Sequence, residues 1–440
     1  MIKKPIALAA TVAVLSGWGP QSAQAAPGDL SAVQIAWSDT THTKIRITWS
    51  ETTPVANTVN LVTSPGTVFG LLGNTPADGP NQLVVDTARL GSSIESGEHD
   101  WIEVSDAAGG TARSVDFDRF VYYQADVQLS FSADGTLHWT AAPDTQIDGT
   151  PDDPLDLPKA YRYAIRQRQD SDPTGMYDCR DVRGPGPSSE RTGIVPRLGT
   201  ATSILLDITN EWGTVTADGG VVETTAALTI AGPTATPFGT STTIAGKLTG
   251  SFMFIRGMPP FCDEQVEPRA GQTLTLQARR VGSTSWSVVG TTQTDANGNY
   301  RIAVKNPGAR EYRVVRANVA TRDSYSDFYD TAAYGGSSAG KVVRASTRVV
   351  SAKFIKPVIS LGTKPQAYLR VEPAGSQRAA LQFKNASGAW QGVQYKTLAA
   401  GRGLLQFSWY RRGVTRFRWW VPGSSGADPV YTSSFTLTVK

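Results

Sequence analysis

The chain has 440 residues, of which 40% are hydrophobic, 18% charged and 9% aromatic, with a formal net charge of +4. This is globular composition, long enough for about two to four domains, and it excludes a disordered or coiled-coil protein. With only 3 His and 2 Cys, most zinc sites and any disulfide-dense scaffold are excluded as well. The 43 Gly and 26 Pro are high for a helical protein, and plentiful Val, Thr, Ser, Tyr and Trp with only 4 Met favour β-structure with many turns.

Taken in order, residues 1–26 read as a secretory signal. Lys3 and Lys4 precede a short apolar run, Ile6 to Leu15, and Ala23-Gln24-Ala25 has the small-x-small form of a cleavage site. The run is about ten residues, whereas a membrane span needs about 20. No later segment is apolar enough to span. The expectation is a secreted, extracellular protein with no transmembrane segment.

Strand-like alternation then recurs along the chain. Ile45, Ile47 and Trp49 share one face. Trp101 to Val104 and Ser114 to Phe117 flank a turn at Ala107 to Gly110. Val127, Leu129 and Phe131 lead through Asp134-Gly135 into Leu137 to Thr140, a hairpin signal. Tyr161, Tyr163 and Ile165 lie opposite Arg162, Arg166 and Arg168. Ile204 to Ile208, Leu274 to Leu276, Trp286 to Val289, Tyr312 to Val314, Leu405 to Trp409 and Phe417 to Val421 continue the pattern. No stretch keeps a helical period. The predicted fold class is all-β, a tandem array of immunoglobulin-like or fibronectin III-like sandwiches.

At about 100 residues per sandwich, residues 27–440 accommodate four modules, at 27–124, 125–224, 225–341 and 342–440. The last boundary follows Ala333 to Lys341, which reads as a Gly/Ser linker. The two C-terminal modules form an internal repeat. Leu274-Thr275-Leu276-Gln277 precedes Trp286, and Tyr312-Arg313-Val314 follows it. Likewise, Ala379-Ala380-Leu381-Gln382 precedes Trp390, and Phe417-Arg418-Trp419 follows. Ala270-Gly271 and Ala374-Gly375 open the two copies.

Thr294-Asp295-Ala296-Asn297-Gly298-Asn299-Tyr300, between Trp286 and Tyr312, resembles bacterial immunoglobulin-like modules of secreted actinobacterial proteins. The resemblance covers about 230–330, and 345–440 more loosely because the Thr-Asp-x-x-Gly turn is missing there. Ile94-Glu95-Ser96-Gly97 before Trp101 gives the N-terminal half a fibronectin type III-like look. These resemblances imply fold and surface location, not chemistry.

Four patterns have the residue types of a chemical site. Gly336-Ser337-Ser338-Ala339-Gly340 has the Gly-x-Ser-x-Gly spacing of serine hydrolases, but its flanks are linker-like and His42, His99 and His138 all lie upstream, the wrong order. Glu98-His99-Asp100 offers metal-ligating types, yet adjacent strand residues point to opposite faces, so a polar turn is the plainer reading. Asp144, Asp148, Asp152, Asp153 and Asp156, with Pro143, Pro151, Pro154 and Pro158, could supply oxygens to calcium. The spacing is not that of an EF-hand, and a solvated acidic loop is the alternative. Asp295 to Asn299 reads as a hairpin turn. No catalytic set, metal site or cofactor is expected.

Cys179 and Cys262 are expected to pair between the second and third modules, the alternative being two separate thiols. In Arg416-Phe417-Arg418-Trp419-Trp420-Val421, alternation turns Phe417, Trp419 and Val421 inward and Arg416, Arg418 and Trp420 outward. Charge is uneven: residues 341–440 carry 16 Lys plus Arg against Glu372 and Asp428, whereas residues 27–340 carry 24 basic and 36 acidic residues. The expected ligand-binding residues are Arg402, Trp409, Tyr410, Arg411, Arg412, Arg416, Arg418 and Trp420, facing an anionic cell-wall polymer or polysaccharide rather than a specific nucleic acid. The leading reading is a secreted, non-catalytic surface-binding or spacer array. The alternatives are a carbohydrate or polyanion binder acting through the basic last module, and an extracellular hydrolase using the long loops Asp144 to Pro158 and Gln169 to Pro196.

Overall fold

The computed structural model describes residues 29–440 apart from 95–96, 122–125, 145–148, 152, 158–160, 171–178, 257–260, 323–329 and 425. The expected signal segment lies outside the described residues. The chain divides into two compact units. One holds residues up to 124 together with 143–163 and 207–216, and the other holds 125–142, 164–206 and 217–440.

The first unit is a two-sheet sandwich. Its strands are β1 (Ser31–Trp37), β2 (Lys44–Ser50), β3 (Asn57–Thr63), β4 (Thr67–Thr75), β5 (Gln82–Asp86), β6 (Asp100–Asp106) and β7 (Thr111–Arg113), with a single helical turn, α1 (Thr87–Leu90), after β5. One sheet runs β1-β2-β5, the other β4-β3-β6-β7, and every neighbour is antiparallel. Alternation places Ile45 and Ile47 from one sheet against Val59, Leu61, Ile102 and Val104 from the other, all fully buried. Burying each such side chain contributes about 1.5–3 kcal/mol. Leu155 and Trp212 complete this core, and Trp212 stacks at 6.0 Å on Phe117. The expected boundary at 124 is therefore crossed: residues 143–163 and 207–216 belong to this unit, and Leu155 and Trp212 pack in its core.

The second unit holds β8 (Val127–Phe131), β9 (Leu137–Ala141), β11 (Cys179–Arg183), β12 (Thr192–Ile194) and most of β10 (Arg162–Asp170), β13 (Thr202–Asn210) and β14 (Gly213–Leu228), whose residues 162–163, 207–210 and 213–216 belong to the first unit. The stretch from 169 to 196 is thus not one long loop, since it contains β11 and β12. Next come β15 (Ala235–Pro237), β16 (Ser241–Arg256), β17 (Phe261–Pro268), β18 (Thr273–Arg280), β19 (Ser287–Gln293), β20 (Asn299–Lys305), β21 (Arg310–Arg316), β22 (Val319–Arg322), β23 (Asp330–Ala333), β24 (Gly336–Ser337) and β25 (Lys341–Ser346). The largest sheet runs β11-β10-β13-β14-β16-β17, with β23 parallel to β14. The 16-residue β16 serves two sheets: its first half pairs with β20, its second half with β14 and β17. No boundary falls at 224, because β14 runs through it.

A third sandwich sets the sheet β15-β25-β21-β18-β19 over the β16–β20 pair, with Ile244, Leu274, Leu276, Tyr312, Val314 and Val343 in its core. Lys341–Ser346 was expected at a linker and a new module. Instead it is an integral strand, antiparallel to β21 and parallel to β15.

The last sandwich holds β26 (Arg348–Phe354), β27 (Val358–Ile359), β28 (Gln366–Glu372), β29 (Arg378–Lys384), β30 (Trp390–Thr397), β31 (Arg402–Gln406), β32 (Gly413–Val421), β33 (Ala427–Asp428), β34 (Val430–Tyr431) and β35 (Phe435–Val439). Its sheets are β26-β28-β31 and β27-β35-β32-β29-β30. The larger sheet repeats the order of the third sandwich strand for strand. A bulge falls after Leu276 in one copy and after Leu381 in the other. Arg313 Nε donates to Gln277 at 2.8 Å, and Arg418 Nε donates to Gln382 at 2.9 Å. The Val314 amide donates to the Ser338 hydroxyl and the Trp419 amide to the Thr432 hydroxyl, each at 2.9 Å. The repeat read from sequence is therefore a structural one, and the chain is a tandem array of β-sandwiches.

Candidate ligand-binding surface

The eight expected binding residues do not form one site. Arg402 starts β31, in the sheet opposite β32. Tyr410, 75% exposed, and the exposed Arg411 and Arg412 lie on the segment between β31 and β32. Arg416, Arg418 and Trp420 share the outer face of β32, as alternation predicts: Arg416 is exposed, Arg418 and Trp420 are half-buried, and Phe417, Trp419 and Val421 are buried.

Trp409 is a correction. It is a core residue, 8% exposed, packed edge-on against Phe383 and Phe417 at 5.1 and 5.0 Å. The strict alternation from Arg402 onward continues past the strand end, so Leu405, Phe407 and Trp409 all turn inward. That burial removes Trp409 from any outer binding surface. Arg411 stacks its guanidinium on Phe383 at 4.9 Å.

What β32 does present is an outer face of alternating guanidinium and aromatic groups. Arg418 lies over Trp390 at 4.3 Å and over Tyr431 at 4.0 Å. On the neighbouring strands, Arg378 lies over Tyr395 at 4.6 Å. Trp420 sits beside Tyr431 in register. The register placing Lys384 opposite Trp390 and Ala380 opposite Tyr395 gathers these groups on one face. Sequence reasoning missed Arg378, Trp390, Tyr395 and Tyr431: Trp390 and Tyr395 are an odd number of residues apart on β30 and reach one face only through the bulge after Leu381, which alternation does not reveal.

The module's two acids are already engaged. Glu372 pairs with Arg348 and Asp428 with Arg344, both at 2.9 Å. Arg378, Lys384, Arg402, Arg411, Arg412, Arg416 and Arg418 make no ion pair among the described residues. Guanidinium stacking on an aromatic face contributes about 0.5–1 kcal/mol at exposed sites and leaves the outward N–H groups open to a ligand.

The other patterns resolve as structure. Ser338 is 7% exposed; its hydroxyl accepts from the Val314 amide and donates to the Ala339 carbonyl, so it holds a strand edge rather than a nucleophile's turn. Asp295 accepts the amides of Asn297 and Asn299, and Gly298, at φ +74°, closes the hairpin turn as expected. Glu98-His99-Asp100 is not a solvated turn: Asp100 is fully buried and bonded to Arg119 at 2.6 Å, with Glu98 at 3.9 Å from the same guanidinium.

Within the first unit, Asp118, Asp153 and Asp156 bring one carboxylate oxygen each within 4.8 Å of the others. Asp118 lies far from the other two in sequence, which is why spacing did not reveal it. Of the remaining expected members, Asp148 and Asp152 lie outside the described residues. Asp153 accepts from the Leu155 and Asp118 amides and from Thr150. Burial, reinforced by Asp156, pushes its carboxyl up to about 6 from an ordinary 3.8. The folded state therefore holds this proton after the unfolded chain has lost it. The resulting contribution is present at low pH and is lost as pH rises through about 4 to 6. Asp153→Asn should shrink the fall in melting temperature of the first unit between pH 4 and pH 7, read by calorimetry; an unchanged fall would contradict the assignment.

No family model matches this chain, and no curated protein does. Among solved structures, the tetra-tandem repeat in the extending region of a large adhesion protein is 12% identical. It covers 93% of this chain and 99% of its own, with a TM-score of 0.26. The FN1–FN3 domains of chicken CNTN1 are 12% identical, covering 72% of this chain and 100% of theirs, with a TM-score of 0.21. Similarity at this level assigns no family.

Proposed function

We propose that this is an exported, non-catalytic array of β-sandwiches whose last module holds the protein to an anionic polymer of a cell surface. One observation carries the reading: 16 Lys and Arg against two acids in residues 341–440, with both acids consumed by Arg348 and Arg344. The outer face of Arg378, Lys384, Arg416 and Arg418, interleaved with Trp390, Tyr395, Trp420 and Tyr431, suits a chain that offers both charge and sugar rings. Export is supported by the signal-like start and by a formed disulfide, which belongs to an oxidising compartment. Among the described residues no helix is long and apolar enough to cross a membrane. The remaining sandwiches would act as a spacer that carries this module.

The test is retention of the full chain on a wall-type phosphate polymer and on a neutral glycan. Retention on the polymer at low salt, lost at high salt, is expected, since exposed charges are screened over about 8 Å at physiological ionic strength. Retention on the neutral glycan at every salt concentration would replace this reading with a stacking-driven carbohydrate site. Retention on neither would reject both.

A further inference from the structure

The third and fourth sandwiches are built alike, so the places where they differ carry information. In the fourth, Phe383 stands opposite Phe417; at the same register position the third has Ala278 opposite Tyr312. Phe383, packed against Trp409 and covered by Arg411, closes that end of the fourth sandwich. The methyl group of Ala278 cannot do so, and a cleft of about 390 Å³ opens there, lined by Ala278, Tyr312, Arg280, Lys305, Arg310 and Ser285 among others.

Two features of this cleft are not explained by folding. Tyr312 is 1% exposed, and among the described residues its hydroxyl has no hydrogen-bond partner. A buried hydroxyl without a partner is destabilising, and Phe417 shows that the repeat needs the ring without the oxygen. The second feature is charge. Arg279, a further cation of the lining, is neutralised by Glu311 at 2.7 Å and lies over Trp286. Arg280, Lys305 and Arg310 make no ion pair among the described residues. Arg280 and Arg310 are cross-strand partners at the ends of β18 and β21, and Lys305 ends β20 in the facing β16–β20 pair, so the cations come from both sheets.

We infer that this cleft binds an oxyanion of the phosphate or sulfate class, with Arg280, Lys305 and Arg310 around it and the Tyr312 hydroxyl donating to one of its oxygens. Donors converging from several directions match a tetrahedral oxyanion better than a planar carboxylate, which is best engaged along one edge. The site is separate from the outer face of the fourth sandwich and does not depend on the function proposed for it.

Calorimetric titration of the full chain with inorganic phosphate, sulfate and acetate at low ionic strength tests the assignment. Phosphate and sulfate should bind, and acetate should bind at least about tenfold more weakly, the factor set by losing one charge-assisted hydrogen bond. Lys305→Gln should weaken phosphate binding by about tenfold on the same ground. Tyr312→Phe, which copies the fourth sandwich, should weaken it while leaving the fold intact. Ala278→Phe, which fills the cleft, should abolish it. The inference is overturned if the unaltered chain binds neither phosphate nor sulfate, if acetate binds equally well, or if phosphate binding is unchanged in Lys305→Gln and Tyr312→Phe.

Discussion

Replacing Arg119 with alanine is expected to destabilise the first unit by about 3–5 kcal/mol, because it strands a buried carboxylate. Arg119 is 2% exposed and Asp100 is fully buried. The guanidinium donates to Asp100 at 2.6 Å and to the Leu90 carbonyl, and it lies over the Phe69 ring at 4.9 Å. Burial, reinforced by the neighbouring Glu98, pushes the Asp100 carboxyl up, with Arg119 opposing that shift. Without Arg119 the carboxyl must take up a proton or pull water into the core. Hydrogen exchange of the β2, β3 and β6 amides would report the loss directly. The double variant Arg119→Met with Asp100→Leu should recover most of the stability, since an apolar pair often matches or exceeds a buried ion pair. A loss below 1 kcal/mol in the single variant would show that the pair is not buried as described.

Opening the Cys179–Cys262 bridge should destabilise the second unit by about 2–4 kcal/mol. The cysteines are 83 residues apart in sequence and 4.9 Å apart between Cα atoms. Cys262 is fully buried with Ala201 and Met253. The pairing expected from the export signal and the cysteine count is present, but its role differs from expectation. Cys179 begins β11 and Cys262 lies in β17, strands at the two ends of the path β11-β10-β13-β14-β16-β17. The bond thus closes one sheet on itself rather than clamping two independent modules. Thiol titration of the denatured, unreduced protein should find no free thiol, and Cys179→Ser with Cys262→Ser should lower the denaturation midpoint of the second unit. Two free thiols per chain, or an unchanged midpoint, would contradict this.

Much of the fold was legible because period-2 alternation is a local signal. It placed Ile45, Ile47 and Trp49 inward on β2, and Phe417, Trp419 and Val421 inward on β32. The repeat was legible because each copy needs the same Gln, Arg and Trp to tie β18 to β21 and β29 to β32. What failed was non-local. Nothing near Trp212 or Leu155 shows that they return to the first core, and nothing in β14 or β16 marks where one sheet ends and the next begins. The Gly-rich stretch 335–340 reads as a linker from composition, yet a strand edge that packs closely on its neighbour also selects glycine: a Cβ on Gly335 would meet the Arg316 carbonyl oxygen at 2.2 Å. Trp409 was misplaced for another reason. Its aromatic character suggests a ligand platform, while the two-residue spacing from Leu405 and Phe407 turns it inward.

The claim that the last module binds through its outer cationic face is tested most directly by the salt dependence of affinity for a defined polyphosphate chain. The full chain is compared with a variant carrying Arg378→Gln, Lys384→Gln and Arg416→Gln. Each cation that contacts a phosphate adds close to one to the slope of log affinity against log salt, by counterion release. The variant should therefore bind more weakly and show a slope shallower by roughly two to three. Equal affinity and equal slope for the two proteins would contradict the assignment of this face.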